Sequence, residues 1–158
     1  MATIFITINS IKRSSYRMEE YMSDMNYGNE VDNAADFLAS LNGDCKSRSP
    51  QWVEDTLKNN NKAIIVDIRS REDYCKSRIS GSINIPLEEL GKHYNVISDI
   101  DSSIIVMCRG GIRSSYGVMF FSLAGFKDVH QLEGGMNAWK KEKKDVEGEG
   151  CSPSAIAS

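Results

Sequence analysis

The sequence predicts an α/β domain with a central parallel sheet flanked by helices. Two apolar runs, KAIIVDIR and SIIVMC, are rich in β-branched residues, as is typical of strands buried on both faces of a sheet. These runs alternate with segments that carry helix start and stop signals. Strands that alternate with helices form parallel sheets through right-handed crossovers, so this order predicts the fold class.

The individual elements follow in chain order. SPQWVEDTLKNNN (49–61) predicts the opening helix, because Ser49 is a natural N-cap and Pro50 takes the first helical position. The strand KAIIVDIR comes next, and SREDYCKSRI predicts a short helix. The strand SIIVMC then precedes a helix, RSSYGVMFFSLAG. A shorter strand, KDVHQLEGG, and a closing helix, MNAWKKEKK, complete the alternation.

The length and composition predict one main domain with appended ends. The chain has 158 residues, 41% of them hydrophobic, which is enough to bury a core. We assign the domain to residues 45–145. Residues 1–44 are expected to be an N-terminal extension, in which ATIFITI suits a short strand and VDNAADFLASL has a helical period. Residues 146–158 are rich in Gly and Ser and are expected to be a flexible tail.

Charge and hydropathy exclude some classes of partner. A net charge of −3 gives no reason to expect nucleic acid, and no run approaches the ~18 apolar residues of a membrane span. The segment before Glu19 has no acidic residue and carries Lys12, Arg13 and Arg17, as organellar transit segments do. We expect a cytoplasmic protein, with the mitochondrion or another organelle as the alternative.

The cysteines predict reduced thiols. Their spacings are wide and irregular, no C-x-x-C pair occurs, and two histidines cannot complete a zinc-ligand pattern. We therefore expect no metal site, and free thiols rather than a disulfide framework. The four residues are Cys45, Cys75, Cys108 and Cys151.

The segment CRGGIRSS (108–115) is the candidate site. Cys108 ends a predicted buried strand, and parallel sheets place their ligand sites beyond the carboxyl ends of the strands. The charges of Arg109 and Arg113 and a helix N-terminus favour a thiolate, which is the reactive form of cysteine. The two glycines between the arginines let successive amides turn inward around an anion. These features favour a cradle for an anion over a plain buried cysteine.

Ser114 and Ser115 follow the loop and are predicted to cap the helix start. Asp67 and Arg69 also lie at the carboxyl end of a predicted strand, so position alone makes them candidates for the same site.

Four segments resemble the rhodanese domain family over about residues 45–145. They are VDIRSREDY, ISGSINIPLEEL, CRGGIRSS and LEGGMNAWKKE, in the family's order and at about its spacing. The resemblance implies a three-layer fold, with a central parallel sheet between helices, and a sulfurtransferase that needs no cofactor. It also implies that Asp67 and Arg69 are mainly architectural. Where the family usually has Gly-His before Ile-x-Gly, this chain has Ser77-Arg78.

The resemblance implies a role for each residue of the loop. Cys108 is the sulfur-accepting nucleophile, which takes sulfane sulfur from thiosulfate or a persulfide donor. A thiol, cyanide or a protein acceptor then takes that sulfur. The persulfide-binding loop comprises Arg109, Gly110, Gly111, Ile112, Arg113 and Ser114.

Two other functions compete with sulfur transfer. Related phosphatases and arsenate reductases carry a C-x5-R loop, whereas this chain has C-x4-R from Cys108 to Arg113, which favours sulfur. A binding module with an unused cysteine is the other alternative, and the intact loop argues against it. Cys75 is expected to be a plain helix cysteine, with a role in resolving the persulfide as its alternative.

Overall fold

The computed structural model describes residues 38–39 and 46–148. Leu38 and Ala39, the described part of the helix predicted at VDNAADFLASL, are helical. The strand predicted at ATIFITI, Cys45, and all residues from 149 onwards lie outside the described residues. The chain divides into two units, Met1–Ala39 and Ser40–Ser158, and residues 46–148 all belong to the second. The domain bounds 45–145 stay a prediction.

A five-stranded parallel sheet forms the centre of the fold, which confirms the predicted class. The strand order is β1-β5-β4-β2-β3, so that β4 lies in the middle. The strands are β1 Ser47–Arg48, β2 Ala63–Asp67, β3 Ile83–Asn84, β4 Ser103–Met107 and β5 Asp128–Leu132. Strands β2, β4 and β5 match the three predicted strands, whereas β1 and β3 were not predicted.

Within residues 46–148, four helices connect these strands and a fifth follows the last strand. They are α1 Pro50–Asn59, α2 Arg71–Lys76, α3 Leu90–His93, α4 Ser114–Leu123 and α5 Gly135–Lys141. Single 3-10 turns at Leu87–Glu89 and Tyr94–Val96 flank α3. The Ser49 hydroxyl caps α1 as predicted, accepting a hydrogen bond from the Trp52 amide at 3.2 Å. Within the described residues, no helix is long and apolar enough to cross a bilayer.

The side chains of β4 alternate between two layers of helices. Ile105 and Met107 pack in one core cluster with Val53 of α1 and Trp139 of α5. Val106 points to the opposite face, where it lies so close to Gly117 of α4 that a Cβ there would be 2.7 Å from its Cγ1. The sheet therefore lies between α1 with α5 on one face and α4 on the other, which is the three-layer arrangement.

The strand register brings the ends of β2 and β4 together. Asp67 pairs with Met107, so each strand leaves the sheet at the same edge. All five residues of β4 are buried, because the strand has neighbours on both sides and helices on both faces. Cys108 follows directly and is held at this edge by the most central strand of the sheet.

Candidate active site

The Cys108 sulfur lies at the base of the loop between β4 and α4. The residue is only 2% exposed, and its thiol is free. The Gly111 amide donates a hydrogen bond to Sγ at 3.1 Å. The Ser114 hydroxyl oxygen is 3.8 Å from Sγ, so loop amides and a helix hydroxyl converge on one sulfur atom.

The pKa of Cys108 lies below its ordinary value. Burial alone raises this pKa, because a thiolate loses hydration. Hydrogen bonds from the Ser114 hydroxyl and from the amides of Ser114, Gly110 and Gly111 outweigh that effect. We predicted that arginine charge and the N–H groups at the helix N-terminus would lower the pKa; the causes of the lowering are hydrogen bonds, those of the amides among them. The anion cradle therefore consists of backbone and hydroxyl donors.

The Ser114 hydroxyl belongs to a buried hydrogen-bond network and does not cap the helix. It lies 2.6 Å from the Gly111 carbonyl oxygen and 3.1 Å from the Gln131 side-chain oxygen. The Ser115 hydroxyl donates to the same Gln131 oxygen at 3.1 Å. The predicted serine cap is wrong, because Arg113 occupies the N-cap and both serines are already inside α4.

Gln131 was not predicted from the sequence as part of the site. It lies on β5 and is only 8% exposed. In the sequence it is one of three polar residues in a five-residue strand, DVHQL, seventeen positions from Ser114. No local pattern relates the two residues, since their contact is made only when β5 and α4 pack together.

The two arginines of the loop have different environments. The Arg109 guanidinium forms two hydrogen bonds with the Asp73 carboxylate of α2, at 2.9 and 3.1 Å. Arg113 is exposed and makes no ion pair with any described residue. The positive charge of Arg109 is thus largely balanced, whereas Arg113 leaves an uncompensated positive charge beside the loop.

Only one of the two loop glycines is required by the backbone. Gly111 has a φ of 93°, in the region that favours glycine, whereas Gly110 has open space around it and an ordinary φ. Ile112, at the outer rim, is 81% exposed. The predicted two-glycine requirement therefore holds structurally at Gly111 alone.

The N-terminus of α5 holds the other side of the loop. The Met136 amide donates to the Cys108 carbonyl oxygen at 2.9 Å, and the Asn137 amide donates to that of Arg109 at 3.0 Å. Gly134 and Gly135 have φ values of 63° and 56°. A Cβ on Gly135 would lie 2.2 Å from the Cys108 carbonyl oxygen. This glycine therefore permits the close approach of α5 to the loop.

Asp67 and Arg69 form a buried ion pair beside the loop. Arg69 is 3% exposed and Asp67 0%, and the Arg69 Nη2 lies 2.6 Å from an Asp67 carboxylate oxygen. The same nitrogen donates to the Ser77 carbonyl oxygen at 2.6 Å. These contacts tie the end of β2 to the end of α2, which is the arrangement expected of an architectural pair.

The expectation that all cysteines are reduced is wrong for Cys75. It lies on α2 and is disulfide-bonded, whereas the thiol of Cys108 is free. A sulfur in a disulfide is neither the plain helix cysteine expected at this position nor a free thiol that can attack a persulfide. Spacing in the sequence does not show which sulfurs meet after folding, and this is why the expectation failed.

Comparisons with known proteins identify one family and several named relatives that this chain resembles. Residues 49–142 match the family model described as Rhodanese-like domain. A protein named thiosulfate sulfurtransferase GlpE from Shewanella oneidensis is 36% identical over 75 residues, which cover 48% of this chain and 73% of that protein. The protein of the same name from Pseudomonas paraeruginosa is 34% identical over 80 residues, covering 51% of this chain and 72% of its own length.

A solved structure gives the same result for the fold. The rhodanese-related protein from Thermoplasma volcanium superposes with a TM-score of 0.59 at 27% identity. The superposition covers 65% of this chain and 97% of that one.

Proposed function

Because the chain belongs to the rhodanese-like domain family, we propose that it is a sulfurtransferase whose sulfur is carried as a persulfide on Cys108. The relatives named thiosulfate sulfurtransferase support sulfurtransferase activity in general. The donor we propose is thiosulfate or another anionic sulfane sulfur compound, and the acceptor is a thiol, cyanide or a protein. The observation that carries the proposal is the set of donors around one buried, free sulfur atom.

The first half-reaction is attack on the donor. The Cys108 thiolate attacks the outer sulfur of thiosulfate and forms a new sulfur–sulfur bond. The bond between the two sulfurs of thiosulfate breaks, and its electron pair leaves with sulfite. Charge balances, since a thiolate and a dianion become a persulfide anion and a dianion. The lowered pKa of Cys108 increases the fraction of the thiolate, which is the form that attacks.

The loop serves the persulfide as well as the thiolate. The terminal sulfur of a persulfide carries negative charge, and amides that turn inward stabilise such an anion without having to reorient. The Gly111 amide already donates to Sγ at 3.1 Å. Arg113 contributes positive charge at the entrance, which favours the approach of an anionic donor.

The second half-reaction returns the enzyme to its starting state. A cyanide ion or a thiolate attacks the terminal sulfur, and the bond to Sγ breaks with its electron pair remaining on Cys108. Thiocyanate or a new persulfide leaves. The cytoplasmic location, the lack of a cofactor, and the absence of nucleic-acid and membrane partners stay predictions from the sequence.

The proposal is tested by measuring thiocyanate formation from thiosulfate and cyanide. We expect activity in the native protein and none in Cys108→Ser, because serine cannot accept sulfur. Hydrolysis of an aryl phosphate is measured in parallel. Phosphate release without thiocyanate formation would identify the protein as a phosphatase. A folded protein that is inactive in both assays would favour a binding module.

A further inference from the structure

Gln131 is a buried polar side chain for which the proposed reaction has given no role. It lies on β5 and pairs with Val106 of β4. Val106 comes two residues before Cys108, and Gln131 is only 8% exposed. Its side-chain oxygen lies 3.1 Å from the hydroxyl oxygens of both Ser114 and Ser115. A buried carbonyl oxygen that meets two hydroxyls of the first turn of α4 is positioned to control the direction in which they donate.

The Ser114 hydroxyl has one proton and several acceptors that compete for it. A hydroxyl donates once, and its oxygen lies 2.6 Å from the Gly111 carbonyl oxygen and 3.1 Å from the Gln131 oxygen. The Cys108 sulfur is 3.8 Å away and becomes a further acceptor when it is an anion. Donation to sulfur therefore withdraws the proton from the Gly111 carbonyl oxygen or from the Gln131 side-chain oxygen.

We propose that Gln131 is a positioning residue that works with Ser115 to release the Ser114 hydroxyl to the Cys108 sulfur. The Ser115 hydroxyl supplies the second hydrogen bond to the Gln131 oxygen. That oxygen stays paired when Ser114 turns towards the sulfur anion, so the turn does not leave a buried acceptor unsatisfied. Without Ser115 the same turn would cost the hydrogen bond of a buried carbonyl.

The inference rests on the proposed role of Cys108 as a nucleophile, but its test does not require sulfur transfer. The measurement is the rate at which iodoacetamide alkylates Cys108 as a function of pH, read by mass spectrometry of the peptide that contains this residue. The charged groups on the elements around the sulfur are unchanged by the substitutions used. They are Arg109 and Arg113 of the loop, Asp73 of α2, the Asp67–Arg69 pair after β2, and Glu133 after β5.

Four proteins are compared with the native chain: Ser115→Ala, Gln131→Met, the double variant, and Ser122→Ala. Ser122 lies on the same helix and makes no hydrogen bond through its buried hydroxyl within the described residues, so its substitution is the matched control. We expect Ser115→Ala to raise the pKa of Cys108 by roughly half to one unit, because Gln131 then retains the Ser114 proton. Ser122→Ala leaves that pKa unchanged.

The double variant separates a positioning role from a merely structural one. Gln131→Met removes the oxygen that Ser115 keeps paired, so Ser115→Ala should have no effect on the Cys108 pKa in that background. An equal rise in both backgrounds, or no rise in the native background, overturns the proposal. If Gln131→Met does not fold, Ser115→Ala is compared with Ser122→Ala in the native chain. A rise of the Cys108 pKa in Ser115→Ala alone supports the proposal, and no rise overturns it.

Failure of this proposal is distinguishable from failure of the proposed function. Alkylation reports the thiolate whether or not the protein transfers sulfur. A Cys108 that loads no sulfur but shows the Ser115-dependent pKa retains the positioning role and loses the sulfurtransferase. If Cys108 loads sulfur but its pKa does not depend on Ser115, the sulfurtransferase function stands and the positioning role of Gln131 fails.

Discussion

The backbone carbonyl oxygen of Cys108 accepts a hydrogen bond from the Met136 amide at 2.9 Å. The residue that carries the candidate nucleophile is therefore attached to the first turn of α5, which follows it by almost thirty positions. Gly135 lies between the two, and a Cβ there would be 2.2 Å from the Cys108 carbonyl oxygen. The shape of the loop thus depends on a helix to which it is not joined in sequence.

The first prediction is that Gly135→Ala distorts the loop. The added methyl would collide with backbone atoms, which cannot move aside as a flexible side chain does, and φ at this position is 56°. We expect a loss of about 3 kcal/mol in the free energy of unfolding, from steric overlap together with left-handed strain. Urea denaturation measures this loss, and alkylation of Cys108 reports whether the loop has changed.

Two other glycines are the controls for this prediction. Gly81→Ala introduces a side chain at a positive φ of 73° but into open space, so it should cost only about 1 kcal/mol. Gly110→Ala, in the loop itself, has open space and no positive φ and should be tolerated. Equal stability losses in Gly135→Ala and Gly81→Ala would show that the close approach to Cys108 is unimportant.

The sequence was sufficient for the elements that carry a local pattern. Strands β2 and β4 were predicted because each contains a continuous run of apolar or small residues, AIIV and SIIVM, of the kind that helices bury on both faces of a parallel sheet. Helix α1 was predicted from Ser49 and Pro50. Strands β1 and β3 have two residues each, which is too short for any period to appear.

Only the part of the candidate site that is contiguous in the sequence was predicted. The run from Cys108 to Ser114 has an order of residues that favours an anion cradle, and the structure places its amides and the Ser114 hydroxyl around the sulfur. The contacts of Gln131, Asp73 and Met136 with this run come from elements that are distant in sequence. A single sequence does not contain the packing that brings them together.

The second prediction concerns the buried pair beside the loop. Arg69→Met leaves the Asp67 carboxylate buried without its partner, and removing one member of a buried ion pair costs about 3–5 kcal/mol. The substitution also removes the hydrogen bond to the Ser77 carbonyl oxygen. Thermal or urea unfolding measures the loss.

An exposed pair on the neighbouring helix is the control for Arg69→Met. Lys76 and Glu72 form an ion pair on the surface of α2, and exposed pairs contribute little. We expect Lys76→Met to leave the unfolding midpoint almost unchanged. Similar stability losses in the two variants would contradict an architectural role for the Asp67–Arg69 pair.

The third prediction concerns the pH dependence of the thiol. The thiolate form of Cys108 is present above its pKa, and hydrogen bonds from Ser114 and the loop amides lower that pKa. Alkylation of the native protein should therefore reach half its maximal rate at a lower pH than alkylation of the same cysteine in the unfolded chain. Ser114→Ala removes one donor and should move the profile upward by roughly one unit.

The same peptide in urea gives the reference for this profile. Unfolding removes the hydrogen bonds and the burial together, so the native and unfolded profiles must differ in the stated direction. Coincident profiles of native and unfolded protein would contradict the lowered pKa. An unchanged profile in Ser114→Ala would assign the lowering to the amides alone.

The fourth prediction separates the two arginines of the loop. Arg113 has no ion pair among the described residues, whereas Arg109 is bound to Asp73, so Arg113 should contribute more to attracting an anionic donor. We expect Arg113→Gln to raise the KM for thiosulfate about fivefold, the effect of roughly 1 kcal/mol for a charge at short range in water. Arg109→Gln should raise it less.

Steady-state kinetics at two salt concentrations test this difference. Added salt screens exposed charges, so the native KM should rise with salt and that of Arg113→Gln should rise less. A larger KM effect in Arg109→Gln than in Arg113→Gln would show that Asp73 does not neutralise Arg109 towards the donor.

The central claim is that Cys108 accepts and releases sulfur, and intact-protein mass spectrometry after treatment with thiosulfate tests it most directly. Native protein and Cys108→Ser are compared before and after a cyanide chase. The account predicts one added sulfur atom on the native chain only, which cyanide removes as thiocyanate. A folded native protein with a free Cys108 thiol that gains no sulfur, or an equal gain on Cys108→Ser, would contradict it.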